Sequence, residues 1–308
     1  MRRYTGFKYK LGLSATISKH KEREIEQLVG KIKRWPWKEL KEKYPQFIPD
    51  WVGEIYDAEL EEKEIKLLEM LEDRRVLYQG LSSALISLAV RMFTRDGALA
   101  LSETLSKGTS MAKIIGDEIK SYVETLKPLH KLKEAEAVLS DHEFEKAILF
   151  VDRVCIAKVL LKFFKPYNPV LILGRLRSTQ EEQKKAVEAA RNPNVKLIIS
   201  TSAGEEGMDL PDADLLIVWS NVASCVRFIQ RHGRIMRPSR KLKISVFIAT
   251  PGTKKINSPD YDSLYEGLAV AAEEGLDIEG VDEIVKQVKS KSFKERIRNL
   301  VENEPLNY

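Results

Sequence analysis

The chain has 308 residues, of which 43% are hydrophobic and 31% are charged, and its formal net charge is +5 at pH 7. This length accommodates about two domains with their own cores, and the composition is typical of a soluble globular protein. The positive excess is too small for a protein that coats nucleic acid, so any nucleic-acid surface has to come from local clusters of charge.

The cysteines and histidines give no sign of a metal centre. Two cysteines, Cys155 and Cys225, cannot form a zinc or iron–sulfur site alone, and the four histidines show no metal-binding spacing. Both cysteines lie in apolar, periodic surroundings and are expected to be buried free thiols. No apolar run approaches the ~20 residues of a membrane span and no N-terminal signal is visible, so we expect a cytoplasmic protein.

The first predicted unit, residues 1–53, is mostly irregular. A short strand is predicted from residue 10 to 13, and a helix over 18–30 that stops at a glycine. The segment 31–53 contains three prolines and several tryptophans, and it is too broken for one regular element. We interpret it as a crossing between two lobes.

The second unit, residues 54–143, has apolar residues at helical spacing, and glycines punctuate it. We predict three to four helices packed on one another. The third unit, residues 144–255, alternates apolar runs with helical patterns. Runs that are apolar throughout are typical of strands buried on both faces, so we predict a parallel, doubly wound α/β sheet. Strands are expected at 147–151, 170–173, 196–200, 215–219 and 244–249.

The last unit, residues 256–308, is predicted to be a helical extension, with helices over 258–274 and 281–301. The second of these helices has a basic side made of lysines and arginines. It either docks on the preceding unit through its apolar stripe or reaches nucleic acid, and the sequence leaves both open.

Two runs of residues carry the chemistry: TSAGEEGMDLP at 201–211 and QRHGRIMRP at 230–238. The second run spaces Arg231, Arg234 and Arg237 three residues apart. Residues with this spacing share a face of a helix. A row of planar, permanently charged guanidinium groups suits a triphosphate or a nucleic-acid backbone.

These runs resemble motifs V and VI of the superfamily-two helicases, and the second matches every fixed position of motif VI, Q/H-R-x-G-R-x-x-R. Residues 13–16, LSAT, resemble motif III, and residues 147–151 resemble the strand of motif IV. Four motifs therefore occur in the family's order, and the resemblance is closest to translocases of the Hef, XPB and RIG-I-like types. It implies that 144–255 form the second RecA-like lobe and that 54–143 form a helical insertion.

The chain contains no G-x-x-x-x-G-K-[ST] phosphate loop and no D-E-x-H or D-E-x-D motif, both of which precede motif III in this family. The resemblance thus implies the second half of a helicase, and an isolated chain without ATPase activity. Its implied partner is a first RecA-like lobe, in cis in a longer chain or in trans as a separate subunit. An excised fragment and a split gene both fit the sequence.

The implied reaction is hydrolysis of ATP, with Mg²⁺ held mainly by the first lobe. By resemblance, Arg234 and Arg237 are arginine fingers that cancel charge on the γ-phosphate. An aspartate in motif V accepts hydrogen bonds from the ribose hydroxyls, and the motif VI glycine lets the chain approach the nucleotide. The residues implied in ATP binding are Gln230, Arg231, Gly233, Glu206, Gly207 and Asp209.

Nucleic acid is the second implied ligand, with DNA expected rather than RNA. Hydroxyls and backbone N–H groups at the carboxyl ends of two predicted strands are placed to contact phosphates. The residues implied in these contacts are Thr201, Ser202, Gly174, Arg175 and Arg177. Ser14 and Thr16 in motif III are implied in coupling the nucleotide state to the grip on nucleic acid.

Two functions of different classes remain open. One is the C-terminal half of an ATP-dependent helicase or translocase. The other is a non-catalytic nucleic-acid-binding or regulatory subunit that complements a separate ATPase chain. The helical insertion likewise either grips nucleic acid or is a plain helical cap, because charged helix faces are usually only solvated.

Overall fold

The computed structural model describes residues 10–12, 22–35, 37–174, 178–201, 209–237, 241–253 and 258–273. Within these residues the strands form one six-stranded parallel sheet in the order β1-β6-β5-β2-β4-β3. The strands are β1 (Trp51–Asp57), β2 (Ala147–Phe150), β3 (Val170–Ile172), β4 (Leu197–Ser200), β5 (Leu215–Val218) and β6 (Lys243–Ala249).

Helices lie before, between and after these strands along the described chain. They are α1 (Glu22–Leu28), α2 (Trp37–Lys43), α3 (Glu62–Val76), α4 (Gly80–Asp96), α5 (Ala98–Ser106), α6 (Ser110–Ile115), α7 (Asp117–Glu124), α8 (Leu132–Asp141), α9 (Val154–Phe163), α10 (Gln180–Ala190), α11 (Cys225–His232) and α12 (Pro259–Glu273). Short 3-10 turns lie at Pro45–Phe47 and Lys165–Tyr167.

The predicted parallel α/β sheet is confirmed. All residues of β2, β4 and β5 are buried, as expected for apolar runs with helices on both faces. The sheet has one strand more than expected, because β1 pairs with β6 along its full length, from Trp51 opposite Lys243 to Asp57 opposite Ala249. The boundary expected between residues 53 and 54 falls inside this edge strand.

Residues 58–141 contain six helices rather than the expected three or four. The apolar spacing alone predicts fewer and longer helices. In the structure, glycines end some of these helices early and so divide them. Gly97 and Gly116 have φ of +93° and +85°, a region that residues with a side chain rarely adopt. At Gly97 an added Cβ would also lie 3.0 Å from the carbonyl oxygen of Pro128, so α4 and α5 are separated by a close backbone approach.

Each face of the sheet supports a separate apolar cluster. On one face Leu149, Ile199 and Ile217 pack with side chains of α3 to α9, so the helical region shares a continuous core with the sheet. On the other face Ile148 and Leu216 and their neighbours pack with α12 and residues of α10. The helical region is therefore joined to the sheet by buried side chains.

The two ends of the chain are described only in part. Residues 10–12, the described part of the predicted first strand, have no regular structure and are exposed. The helix expected over 258–274 is present as α12, whereas the helix expected over 281–301 lies outside the described residues. No helix in the described ranges is both long and apolar enough to cross a bilayer.

Candidate functional site at the carboxyl edge of the sheet

The carboxyl ends of the parallel strands meet at one edge of the sheet, where ligands bind in open α/β folds. Polar residues follow four of the strands there, Asp152 after β2, Thr201 after β4, Ser220 after β5 and Thr250 after β6, while Gly174 follows β3. Helix α11, which carries the first three residues of the second run, contacts this edge through two arginines, and the more buried one belongs to that run.

That arginine is Arg231, whose guanidinium group is buried, with 2% of the side chain exposed. Its Nη1 donates to the carbonyl oxygen of Ser220 at 2.6 Å, and its Nη2 donates to Oδ1 of Asp152 at 2.7 Å. The guanidinium also lies 5.3 Å from the centre of the Phe150 ring. Sequence analysis placed Arg231 among the nucleotide ligands, but these internal partners make it the anchor that holds α11 against the sheet.

Asp152 is the centre of a group of arginines that sequence analysis missed. Besides Arg231, its carboxylate accepts hydrogen bonds from Arg227 at 2.7 and 3.3 Å and lies 3.4 Å from Nη1 of Arg95. Burial alone would raise the pKa of Asp152, but Arg231, Arg227 and Arg95 outweigh it and hold the pKa below its ordinary value. The only signal in the sequence was its position shortly after a buried strand. No neighbouring residue indicates which arginines it would pair with.

The next residue of α11, His232, fixes the helix to β1 and β6. Its Nδ1 lies 3.0 Å from Oγ of Ser245, and its ring lies 4.0 Å from the ring of Trp51. Burial lowers the pKa of His232 to about 3, so the imidazole is neutral at physiological pH. Arg231 and His232 together hold α11 on two sides.

Arg237 lies beyond the end of α11 and is 39% exposed. Its Nη2 donates to Oδ1 of Asp209 at 2.8 Å, while Arg191 of α10 donates to Oδ2 of the same carboxylate at 2.6 Å. Hydrogen bonds from Arg191 and Arg237 lower the pKa of Asp209, which is 70% exposed. The structure thus brings together two residues that were both expected at the nucleotide, in an ion pair that water can reach.

Three more of the residues expected at the nucleotide lie within the described part of the chain. Arg234 and Gln230 are half-buried, and Gly233 is exposed. The backbone N–H of Arg234 donates to the carbonyl oxygen of Arg231 at 3.0 Å, so a tight turn continues from α11. Glu206 and Gly207 lie outside the described residues.

The residues expected to contact nucleic acid are described only where β3 and β4 end. The backbone N–H of Gly174 donates to Oγ1 of Thr201 at 3.2 Å, so these two are neighbours. Thr201 is 4% exposed, and its hydroxyl oxygen supports the loop that begins at Gly174. The other members of the expected set, Ser202, Arg175 and Arg177, and the coupling residues Ser14 and Thr16, lie outside the described residues.

A second polar cluster lies beneath the same edge. The Nζ of Lys131 donates to Asp260 at 2.6 Å and to the carbonyl oxygens of Trp219 and Ile248, at 2.8 and 2.9 Å. Both members of this ion pair are fully buried, and Asn221 donates to the same aspartate at 3.1 Å. The cluster joins the start of α12 to the ends of β5 and β6.

Comparison with known proteins identifies a family domain in this part of the chain. Residues 130–239 match the profile of the helicase conserved C-terminal domain. The chain is 26% identical over 191 residues to the DNA 3'-5' translocase XPB2 of Sulfurisphaera tokodaii, which covers 61% of this chain and 38% of that protein. It is 29% identical over 124 residues to the ATP-dependent DNA helicase fml1 of Schizosaccharomyces pombe, covering 35% of this chain and 15% of that protein.

A viral protein and a solved structure complete the comparison. The putative helicase 22 of Sulfolobus islandicus filamentous virus is 31% identical over 93 residues, 30% of this chain and 17% of that protein. The chain therefore spans 15% to 38% of the length of these three relatives. The helicase domain of Pyrococcus furiosus Hef superposes with a TM-score of 0.54 and 18% identity, over 78% of this chain and 64% of that one. This likeness supports the RecA-like fold.

Proposed function

Because the chain carries the C-terminal domain of a superfamily-two helicase over residues 130–239, we propose that it supplies the second RecA-like lobe of an ATP-dependent nucleic-acid translocase. One observation carries this proposal. Arg231 is locked into the edge of the sheet, while Arg237, six residues on, is exposed and paired only with surface groups among its described contacts. The row of three arginines is thus anchored at Arg231 and accessible to solvent at Arg237.

The accessible end is suited to phosphoryl transfer, which needs positioned positive charge more than covalent chemistry. We assign Arg234 and Arg237 to the γ-phosphate of an ATP molecule bound between this lobe and a first lobe. Arg237 reaches that phosphate by leaving Asp209, and the exchange is cheap because water screens an exposed ion pair. Arg191 remains on Asp209 when Arg237 leaves, so the carboxylate keeps a positive partner.

The nucleotide has further proposed contacts in this lobe. Asp209 has acceptor oxygens for the ribose hydroxyls, and Gln230, Gly233, Glu206 and Gly207 complete the set. Arg231 serves it indirectly, by fixing α11. The Mg²⁺ ion that accompanies ATP would be bound by the first lobe, in the same chain or in a separate subunit. When bound, it would neutralise charge on the β- and γ-phosphates.

The nucleic-acid strand is proposed to cross the carboxyl edge where β3 and β4 end. The hydrogen bond between Gly174 and Thr201 fixes the chain just ahead of Arg175 and Arg177, which lie outside the described residues. Those arginines and Ser202 would contact phosphate oxygens, and Ser14 and Thr16 would couple that contact to the nucleotide. Contacts of this kind detect backbone charge rather than base sequence. DNA is the proposed substrate, since the names of two relatives specify DNA.

The test is complementation of ATPase activity. The 308-residue chain is combined with a first lobe that carries a phosphate loop, and ATP hydrolysis is measured with single-stranded DNA present. Arg234→Ala is expected to lower kcat by about 10³-fold, the usual contribution of an arginine finger. The matched control is Arg75→Ala, which removes an arginine paired on the surface of α3 and leaves kcat unchanged.

The alternative function, a binding or regulatory subunit that donates no catalytic group, predicts a different result. In that case the combined lobes hydrolyse ATP equally well with wild-type chain and with Arg234→Ala. The same result would refute the assignment of the arginine fingers.

A further inference from the structure

The last residue of α4, Asp96, is fully buried at the same edge of the sheet. Oγ of Ser220 donates to its Oδ1 at 2.7 Å, and Nη2 of Arg95 donates to its Oδ2 at 2.8 Å. Nε of Arg153 also donates to Oδ2, at 3.4 Å. Asp96 belongs to the helical region, whereas Ser220 follows a central strand of the sheet. A charged hydrogen bond therefore joins the end of α4 to the end of β5.

Ser220 continues this connection to α11. Its Oγ accepts a hydrogen bond from the backbone N–H of Asp152 at 3.0 Å, and its carbonyl oxygen accepts one from Arg231 at 2.6 Å. Arg231 in turn donates to the Asp152 carboxylate at 2.7 Å. Two hydrogen bonds thus run from Asp96 through Ser220 to the arginine that anchors α11, one on the Ser220 hydroxyl and one on its carbonyl oxygen.

Arg95 provides a second, parallel connection. One of its terminal nitrogens contacts Asp96 and the other lies 3.4 Å from Oδ2 of Asp152. Asp96 and Asp152 are therefore joined by a serine hydroxyl, which bonds the Asp96 carboxylate and the Asp152 backbone N–H, and by a guanidinium group, which contacts both carboxylates. Fixing two charges in this way is costly compared with apolar packing, but a fully bonded network allows only one arrangement of its members.

We propose that Asp96 and Ser220 are positioning residues, which set α11, and through it Arg234 and Arg237, by the placement of α4. The helical region thereby determines where these two arginines of the lobe lie. The catalytic part of this inference rests on the proposed function, whereas the mechanical part, the fixing of α11, does not. Neither residue is assigned a contact with ATP or with nucleic acid.

The mechanical part is tested on the 308-residue chain alone. Ser220→Ala removes the hydroxyl, and Asp96→Asn removes the charge while keeping the shape. Leu101→Ala, at a fully buried position in α5, is a control that lowers stability without touching the network. Amide hydrogen exchange across α11 is expected to rise by about tenfold in the first two variants, the scale of one or two lost network contacts. The inference is overturned if exchange in α11 rises no more than in Leu101→Ala.

The catalytic part is tested in the combined lobes, at a temperature where all variants are folded. Ser220→Ala and Asp96→Asn are expected to lower kcat by about tenfold and to change the KM for ATP by less than about twofold, because misplaced arginines weaken transition-state contacts. Leu101→Ala should keep both constants. A rise in KM alone would overturn the positioning role. Absence of ATPase activity with the wild-type chain would overturn the proposed function, while hydrogen exchange would still decide whether the network fixes α11.

Discussion

Two arginines of one motif occupy opposite environments. Arg231 is 2% exposed and bonded to Asp152 and Ser220, whereas Arg237 is 39% exposed and bonded to Asp209. Loss of one partner from a buried pair leaves a charge without compensation, whereas an exposed pair is replaced by water. The same side chain therefore has a structural role at one position and is available for a ligand at the other.

This contrast predicts different effects of the same substitution. Arg231→Ala is expected to lower the free energy of unfolding by about 3 kcal/mol, because it removes a side chain only 2% exposed whose guanidinium group bonds both Asp152 and Ser220. Arg237→Ala is expected to leave the melting temperature of the chain unchanged. Urea denaturation and thermal melting of both variants measure this. Equal losses of stability would show that Arg231 is not an anchor.

Two buried histidines predict how stability depends on pH. Burial lowers the pKa of His232 and of His130 to about 3, from an ordinary value of 6.5. Below pH 6.5 the unfolded chain binds protons at these positions and the folded chain does not. The free energy of unfolding therefore keeps its full value above pH 6.5 and falls as the pH is lowered below it. The expected slope is about 1.4 kcal/mol per pH unit for each histidine.

The measurement is the free energy of unfolding in urea at several values between pH 7.5 and pH 4.5. In His130→Gln and His232→Gln the slope between pH 6.5 and 5 should become shallower, whatever the absolute stability of each variant. An unchanged slope in both variants would show that the two imidazoles are protonated in the folded state.

At the scale of elements, local sequence signals are reliable where the bonds they predict are local. Thr179 is the N-cap of α10, and glutamates at 181 and 182 follow it in the first turn. Its Oγ1 accepts from the N–H of Glu182 at 3.2 Å, and the Glu182 carboxylate accepts from the N–H of Thr179 at 2.7 Å. These partners are three residues apart, so their spacing alone predicts the capping box.

Removal of this cap gives a prediction for one helix. Thr179→Ala is expected to lower the free energy of unfolding by about 1 kcal/mol, because the N–H of Glu182 at the start of α10 loses its partner, Oγ1 of Thr179. Thr125→Ala is the control, since Thr125 is an exposed threonine at the C-terminal end of α7. Its loss should lower the free energy of unfolding by less than about 0.5 kcal/mol. Chemical denaturation compares the two. A smaller loss in Thr179→Ala than in the control would contradict the role of the cap.

At the scale of the whole molecule, β1 extends the lobe beyond the residues that match the family profile. It lies along the edge of β6, and Trp51 within it packs on His232 of α11. Buried side chains also join the helical region and α12 to the sheet. We propose that residues 45–273 fold as one unit.

Truncation tests this unit. A chain that begins at residue 45 is expected to melt cooperatively, close to the temperature of the full chain. A chain that begins at residue 58 lacks β1, so the edge of β6 is uncovered, and we expect a lower melting temperature and self-association. Circular dichroism and size-exclusion chromatography measure both effects. Identical behaviour of the two truncated chains would show that β1 contributes nothing to the lobe.

The sequence by itself determined the parallel sheet, the helical character of the region between β1 and β2, and a resemblance to helicases that agrees with the match of residues 130–239 to the helicase conserved C-terminal domain. These follow from apolar runs and motif spacings, which are properties of neighbouring residues. Only the tertiary structure decided that β1 joins the sheet, that Arg231 faces inward, and that Asp96 and Asp152 hold the arginines of the edge. The hydrogen bond from Ser220 to Asp96 joins residues 124 positions apart, and which charges pair over such distances depends on the packing of the whole chain rather than on any local pattern.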